Sequence, residues 1–263
     1  MKRKQSVAAR FSASAATYDN YAAVQEAVAE QLMQFAEKVP APAGILEIGC
    51  GTGILTKWIC DHFPDADLYA VDISSEMIAR AKKKLSRKRA IKWLVADVRD
   101  VTCHSFFDLL FSSSSLHWIQ PVENTFRKIN TLLRPQGQCI FSCMVAGTFR
   151  ELYNARRIVA PRKEKRVALP SAEAILDALY KNHFAVKRDI DKTVRVNFQS
   201  AEDFFNGIHG QGVTGGESAT TDSLLSRTEL RRLISYYNKQ YRNSDNNVFA
   251  TYEVKFILAQ KRE

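Results

Sequence analysis

The sequence predicts an α/β protein built on a doubly wound, mostly parallel sheet. Three observations carry that prediction. From residue 44 to residue 143, apolar runs of strand length alternate with amphipathic runs of helix length, the rhythm of a parallel sheet crossed by helices. The first run, Gly44-Ile-Leu-Glu-Ile48, breaks into Gly49, Gly51 and Gly53 before a helical stretch begins at Ile54, which reads as strand, tight turn and helix in immediate succession. The 263 residues are 46% hydrophobic, enough for one sizeable core, and α/β chains of this length often form a single domain.

Taken in order, Met1 to Ser14 is basic and serine-bearing, with no acid before Asp19. That is the composition of an organellar transit segment, without the apolar core of a secretory signal. Tyr18-Asp-Asn-Tyr21 nevertheless runs straight into Val24, Ala27, Val28, Leu32 and Phe35 at helical spacing, so residues 1–39 are read as a helical arm. Pro40-Ala-Pro-Ala-Gly44 ends it and launches the first strand. A helix spans Ile54 to His62, and a second strand, Leu68–Val71, closes on Asp72. Ser74 or Ser75 can cap a helix with the apolar face Met77, Ile78, Ala81 and Leu85. The cations from Lys82 to Arg89 complement the dipole at its C-terminal end and are read as a solvated face rather than a nucleic-acid contact.

Strands follow at Ile91–Val95 and Phe107–Phe111, then a helix over Val122–Leu133, a turn at Arg134–Gly137 and a fifth strand at Gln138–Cys143. The rhythm then breaks. Residues 147–170 hold Arg150, Arg156, Arg157, Arg162, Lys163, Lys165 and Arg166 against Glu151 and Glu164, and are expected to form a basic helical lid inserted into a core of residues 40–146 and 171–263. That core resumes with a helix at Ser171–Asn182, an extended pair or strand at Phe184–Asn197 and a helix at Ala201–Ile208. The glycine-dense stretch 207–216 is expected to be a mobile or ligand-ordered loop. A helix at Thr228–Tyr241, beginning on a capping candidate, and a closing strand at Val248–Leu258 complete a sheet of seven strands.

Composition excludes several function classes. No apolar run approaches ~18 residues, so no membrane span is expected. Five cysteines, odd in number and without a C-x-x-C pair, suit reduced thiols in a cytoplasm better than a disulfide frame or a zinc site. His62, His104, His117, His183 and His209 have no ligand spacing, and no metal is expected. The net charge of +10 leaves RNA open as a partner, but no recognisable RNA-binding module is present.

The glycine spacing narrows the ligand. Dinucleotide sites use G-x-G-x-x-G, where the third glycine lets the helix pack close to a bound pyrophosphate. Here the spacing is G-x-G-x-G and Ile54 stands where that third glycine would be. Glu47, just before the glycines, would repel a phosphate, whereas it suits S-adenosyl-L-methionine, which carries an ammonium and a sulfonium. Asp72 stands where an acid grips ribose hydroxyls, and Ala96-Asp97-Val98, after the third strand, can meet the adenine. Ile73, Val98 and Ser113 stand beside these positions. Singly, a glycine turn or an Asp after a strand is as well explained by turn and cap chemistry. Together and in this order they resemble the class I S-adenosylmethionine-dependent methyltransferases over residues 40–145, which implies that fold and that cofactor.

Ser112-Ser-Ser-Ser-Leu-His-Trp118 follows the fourth strand, where substrate is expected. It departs from the Asn/Asp-Pro-Pro-aromatic pattern of methyltransferases acting on amide-like nitrogens. His117 reads equally as a base or as a wall residue, and Trp118 as a water shield or as packing. Val7-to-Asp19, Leu116-His-Trp118, Gly147-Thr-Phe-Arg150 and the segment from Thr251 to Lys261 together resemble the malonyl-acyl carrier protein O-methyltransferases of biotin synthesis. The serine run and the long 207–216 stretch are the departures. The resemblance implies methylation of the free carboxylate of a malonyl thioester on an acidic acyl carrier protein, which a basic chain would attract. An arginine would orient the carboxylate bidentately. Arg150 is the candidate, with Tyr18 closing the site and His117 and Trp118 as its wall. A monomer is expected. The alternatives are methylation of another small acid or of RNA, or a non-catalytic assembly factor on the same fold.

Overall fold

The structure, a computed structural model, describes residues 2–37, 39–88, 90–102, 107–163, 169–213 and 224–262, with side chains from residue 7 onward. Its seven strands lie in the order β3-β2-β1-β4-β5-β7-β6. The central strand β1 (Gly44–Ile48) pairs in parallel with β2 (Asp67–Asp72) and β4 (Phe107–Ser112). Beyond them lie β3 (Ile91–Val95) and β5 (Leu133–Met144), also parallel. The strand β7 (Val248–Lys261) enters antiparallel between β5 and β6 (Phe184–Phe198). Strand order reverses between β1 and β4, and a crevice opens at the carboxyl ends of such a pair.

Helices cover both faces. The helices α2 (Ala23–Met33), α3 (Ile54–His62), α8 (Ala201–Gly210) and α9 (Arg227–Gln240) bury Leu32, Ile59, Phe204 and Tyr237 on one side of the sheet. On the other, α5 (Val122–Leu132) and α7 (Ala172–Lys181) bury Phe126, Ile129, Ile175 and Leu179. Strand β7 serves both cores because successive side chains alternate: Val254 and Phe256 face the first, Ile257 and Ala259 the second. The helix α4 (Ser75–Lys84) starts at Ser74, whose hydroxyl accepts from the Met77 amide at 3.1 Å. The helix α1 (Lys2–Ser14) lies against α4, and the inserted helix α6 (Arg150–Val159) against α9 and β7. No helix among the described residues is long and apolar enough to cross a membrane.

Several expectations are corrected. No turn separates α5 from the fifth strand: β5 begins at Leu133 and absorbs Arg134–Gly137 as an irregularity, with Gln136 at φ 62° and a register shift against β4 between Phe107 and Leu109. Helix α9 starts earlier than Thr228, because Ser226 forms a capping box with Glu229. The start of the glycine-dense stretch is helical rather than a loop: Gly207 and Gly210 belong to α8, while residues 214–216 lie outside the described residues. A Cβ on Gly210 would come within 2.5 Å of the Tyr21 ring, so this glycine serves close packing against the N-terminal segment rather than mobility.

Candidate active site

A cavity of about 680 Å³ opens at the carboxyl ends of β1 to β4 and holds most of the residues singled out from the sequence: Gly49, Gly51, Asp72, Ile73, Asp97, Val98 and Ser113. Gly49 takes φ 69°, and a Cβ there would lie 1.9 Å from Ser115 Oγ, so only glycine permits this turn. Asp72 shapes the floor, its Oδ2 accepting from the Gly51 amide and its Oδ1 from the Ser74 amide, both at 2.8 Å. It thereby fastens the glycine loop to the start of α4, and its remaining lone pairs are left for a ligand. The Asp97 side chain, expected to meet adenine, is already engaged by Arg99, which donates from its amide (2.9 Å), Nε (3.0 Å) and Nη2 (2.7 Å).

Glu47 lies in an adjoining recess of about 40 Å³ that shares Tyr18, Gly49, Gly51 and Ser113 with the main cavity. It is 1% exposed, and its Oε2 has no hydrogen-bond partner among the described residues. Burial pushes its carboxyl up to about 8, with the charge of Asp72 adding to the shift. A buried carboxylate with an orphaned oxygen calls for a cation. Arg99, the guanidinium on the cavity wall, is taken up by Asp97, which leaves little to clamp a pyrophosphate. The residues therefore fit S-adenosylmethionine.

The roof was missed from the sequence. Val7 and Phe11 of α1 line the cavity, and the Phe11 ring meets Trp118 edge-on at 5.6 Å. Their i, i+4 spacing is the signal that a helical reading of the arm could have used.

A second cavity, of about 160 Å³, adjoins the first and shares Phe11, Tyr18, Ser114 and Trp118 with it. Its walls are chiefly apolar, from Met144, Phe149, Leu152, Tyr153 and Tyr252. Tyr18 stands between the two cavities, and burial, with Asp72 and Asp19 nearby, raises its pKa, so the phenol stays a donor. His117 is 5% exposed and its Nδ1 accepts from the Met144 amide at 3.3 Å. Burial pushes its pKa down to about 3. At neutral pH it is an uncharged imidazole with its proton on Nε2, a weak base but a competent donor.

Arg150 lines neither cavity. Its Nη1 sits 2.6 Å from Glu253 Oε1 on β7, which fixes the start of α6 to the sheet. The guanidinium that does border the inner cavity belongs to Arg156, six residues on, with Nε donating to the Lys163 carbonyl at 3.0 Å. Burial lowers its pKa. Among the other expected lid cations, Lys163 pairs with Glu229 of α9 at 2.8 Å, Arg157 and Arg162 are exposed, and Lys165 and Arg166 lie outside the described residues. Among the described residues no cluster of His, Cys, Asp or Glu is arranged to hold a metal ion.

A family described as "Methyltransferase domain" matches residues 46–141. Among solved structures, the YcgJ protein of Bacillus subtilis superposes with a TM-score of 0.64 at 15% identity, covering 89% of this chain and 98% of that one. The magnesium protoporphyrin IX methyltransferase of Synechocystis, solved with bound S-adenosylhomocysteine, gives 0.55 at 13% identity over 90% of this chain and 82% of its own. Two curated relatives extend along nearly the whole sequence. The malonyl-[acyl-carrier protein] O-methyltransferase of Anoxybacillus flavithermus is 32% identical over 257 residues, 97% of this chain and 96% of that one. Malonyl-[acyl-carrier protein] O-methyltransferase 2 of Ilyobacter polytropus is 30% identical over 261 residues, 98% of each chain. With a cation-seeking carboxylate beside the glycine loop and relatives that match end to end, this chain is an S-adenosylmethionine-dependent methyltransferase and belongs to the malonyl-[acyl-carrier protein] O-methyltransferase family.

Proposed function

We propose that the enzyme methylates the free carboxylate of a malonyl thioester carried on acyl carrier protein, in the biotin (pimeloyl) pathway. The observation that carries this reading is the inner cavity: small, chiefly apolar, joined to the cofactor cavity at Tyr18 and Trp118, and bordered by one arginine. S-adenosylmethionine supplies the electrophilic methyl group. The acceptor carboxylate is ionised at neutral pH, so the protein needs no base there, in keeping with a neutral His117. What remains is to strip the carboxylate of water and aim it. Phe11, Trp118 and the apolar walls exclude water; Arg156, in place of Arg150, orients the acyl group; Tyr18 and His117 donate hydrogen bonds. The net charge of +10, with Arg157 and Arg162 exposed near the lid, suits an acidic carrier.

The test is methyl transfer from labelled cofactor to malonyl-acyl carrier protein, malonyl-coenzyme A, short dicarboxylic acids and bulk RNA, side by side. The carrier-protein thioester is expected to be the best substrate. A free acid or RNA turned over faster would overturn the reading. Arg156→Ala is expected to lower kcat/KM for both malonyl thioesters by about tenfold to a hundredfold, the worth of a charge-assisted hydrogen bond. Arg150→Ala should instead act through thermal stability. Equal losses of kcat/KM in the two variants would remove Arg156 from the site.

A further inference from the structure

The segment between α1 and α2 is fastened to both loops that form the cofactor cavity. Asp19, directly after Tyr18, accepts through Oδ1 a hydrogen bond from Thr52 Oγ1 of the glycine loop, and its Oδ2 lies 2.8 Å from Lys84 Nζ at the end of α4. Seven residues earlier, within α1, Ser12 Oγ donates to Glu76 and lies 2.9 Å from Ser74 Oγ, just past Asp72. The other side of the segment rests on α8: Thr17 Oγ1 donates to the Gly210 carbonyl at 3.0 Å, and Gln211 donates to the Tyr21 carbonyl.

These ties are unequal. The Asp19–Lys84 pair is 40% and 38% exposed, so solvent and salt screen it and it contributes little. Thr52 is 1% exposed, so its bond to the carboxylate is charge-assisted and buried at the donor end. Thr52 lies between Gly51, whose amide is held by Asp72, and Gly53. Its hydroxyl is therefore set by the same backbone that touches the cofactor cavity. A change in that loop moves the partner of Asp19, and with it the residue next in sequence, Tyr18.

We propose that Asp19 is a positioning residue, reading the state of the glycine loop through Thr52 and holding Tyr18 between the two cavities when the cofactor is in place. The inference rests on the cofactor site, and on the role proposed for Tyr18 only as to its consequence for turnover. It makes substrate binding follow cofactor binding, because the wall of the inner cavity is complete only with the segment docked. By linkage, the cofactor and the docked segment must favour each other by the same factor.

The test is hydrogen exchange of amides in residues 8–22, with and without S-adenosylhomocysteine, alongside calorimetric affinities. In the wild-type protein the ligand is expected to slow exchange across this segment by at least ~10-fold, the worth of one hydrogen bond to a charged group. Asp19→Ala, at a half-exposed site, and Thr52→Val, nearly isosteric, should each bind the ligand ~10-fold more weakly and lose most of that slowing, as linkage requires. Thr52→Ser keeps the donor and should behave like wild type, while Asp19→Asn keeps an acceptor without the charge and should fall between wild type and Asp19→Ala. Ligand-induced slowing of wild-type size in Thr52→Val, or wild-type binding without any slowing, would overturn the coupling while leaving the cofactor site in place. A wild-type protein that does not bind S-adenosylhomocysteine would overturn the cofactor site itself.

Discussion

Asp72→Ala is expected to remove most of the cofactor affinity and part of the stability together. The ribose contacts offered by a charged acceptor are worth about 1.5–3 kcal/mol, which alone is roughly tenfold to a hundredfold in affinity. The same substitution leaves the Gly51 and Ser74 amides without their acceptor, at about 1–3 kcal/mol for each that water does not reach. Their release also frees the glycine loop from α4, so the binding surface is lost along with the binding group. Asp72→Asn retains one acceptor oxygen and should fall between. Calorimetry with S-adenosylhomocysteine and thermal melts separate the two effects: a lowered Tm with an unchanged Kd would leave Asp72 a structural clamp only.

Glu47 makes stability and cofactor affinity depend on pH in opposite directions. Its carboxyl is raised in the folded chain from 4.5 to about 8. Between those values the folded chain keeps a proton that the unfolded chain has released, so the stability of the ligand-free protein falls as pH rises through the window, by up to roughly 1.4 kcal/mol per unit, and levels off above it. A cationic ligand favours the ionised carboxylate, so affinity for S-adenosylmethionine should climb across the same range, and the ligand should raise Tm more at pH 8 than at pH 5. Glu47→Gln removes the titration. Its melts should lose that slope and its cofactor affinity should be low and nearly independent of pH. An unaltered slope in Glu47→Gln would assign the titration to another group.

The cofactor half of the site was legible because its signals are local. Gly49, Gly51, the acid before them and the acids after the next two strands are fixed by strand-turn-helix geometry that spans few residues, and they line one cavity or its recess; Gly53, expected with them, lines neither, and at φ 86° it caps α3 and packs close to Ala81 and Leu85. The substrate half depends on helix phase and tertiary contact. Arg150 stands in the first turn of α6 and is turned to Glu253. Phe149, Leu152, Tyr153 and Arg156 recur at intervals of three and four, and all four border the inner cavity, a stripe along one helix face that a charge count passes over. The glycines at 207 and 210 misled in the same way. Gly210 serves close approach to Tyr21, a partner far away in sequence, which local flexibility rules cannot supply.

The anchoring of α6 also bears on the order in which the chain can assemble its site. Glu151 is buried and accepts from the Thr251 amide at 3.0 Å and its hydroxyl at 2.6 Å, while Thr148 and Glu253 exchange hydrogen bonds at 3.1 and 3.0 Å. Every one of these partners sits on β7, about a hundred positions downstream, and β7 also fills an interior place in the sheet, between β5 and β6. A nascent chain can form its cofactor-binding strands as they emerge, since their contacts are near in sequence. Helix α6 lacks the strand that anchors its first turn, and the inner cavity lacks Tyr252, until β7 has been synthesised. The inner cavity is thus among the last parts to mature, and an incomplete chain is left with the glycine loop but no enclosure beside it.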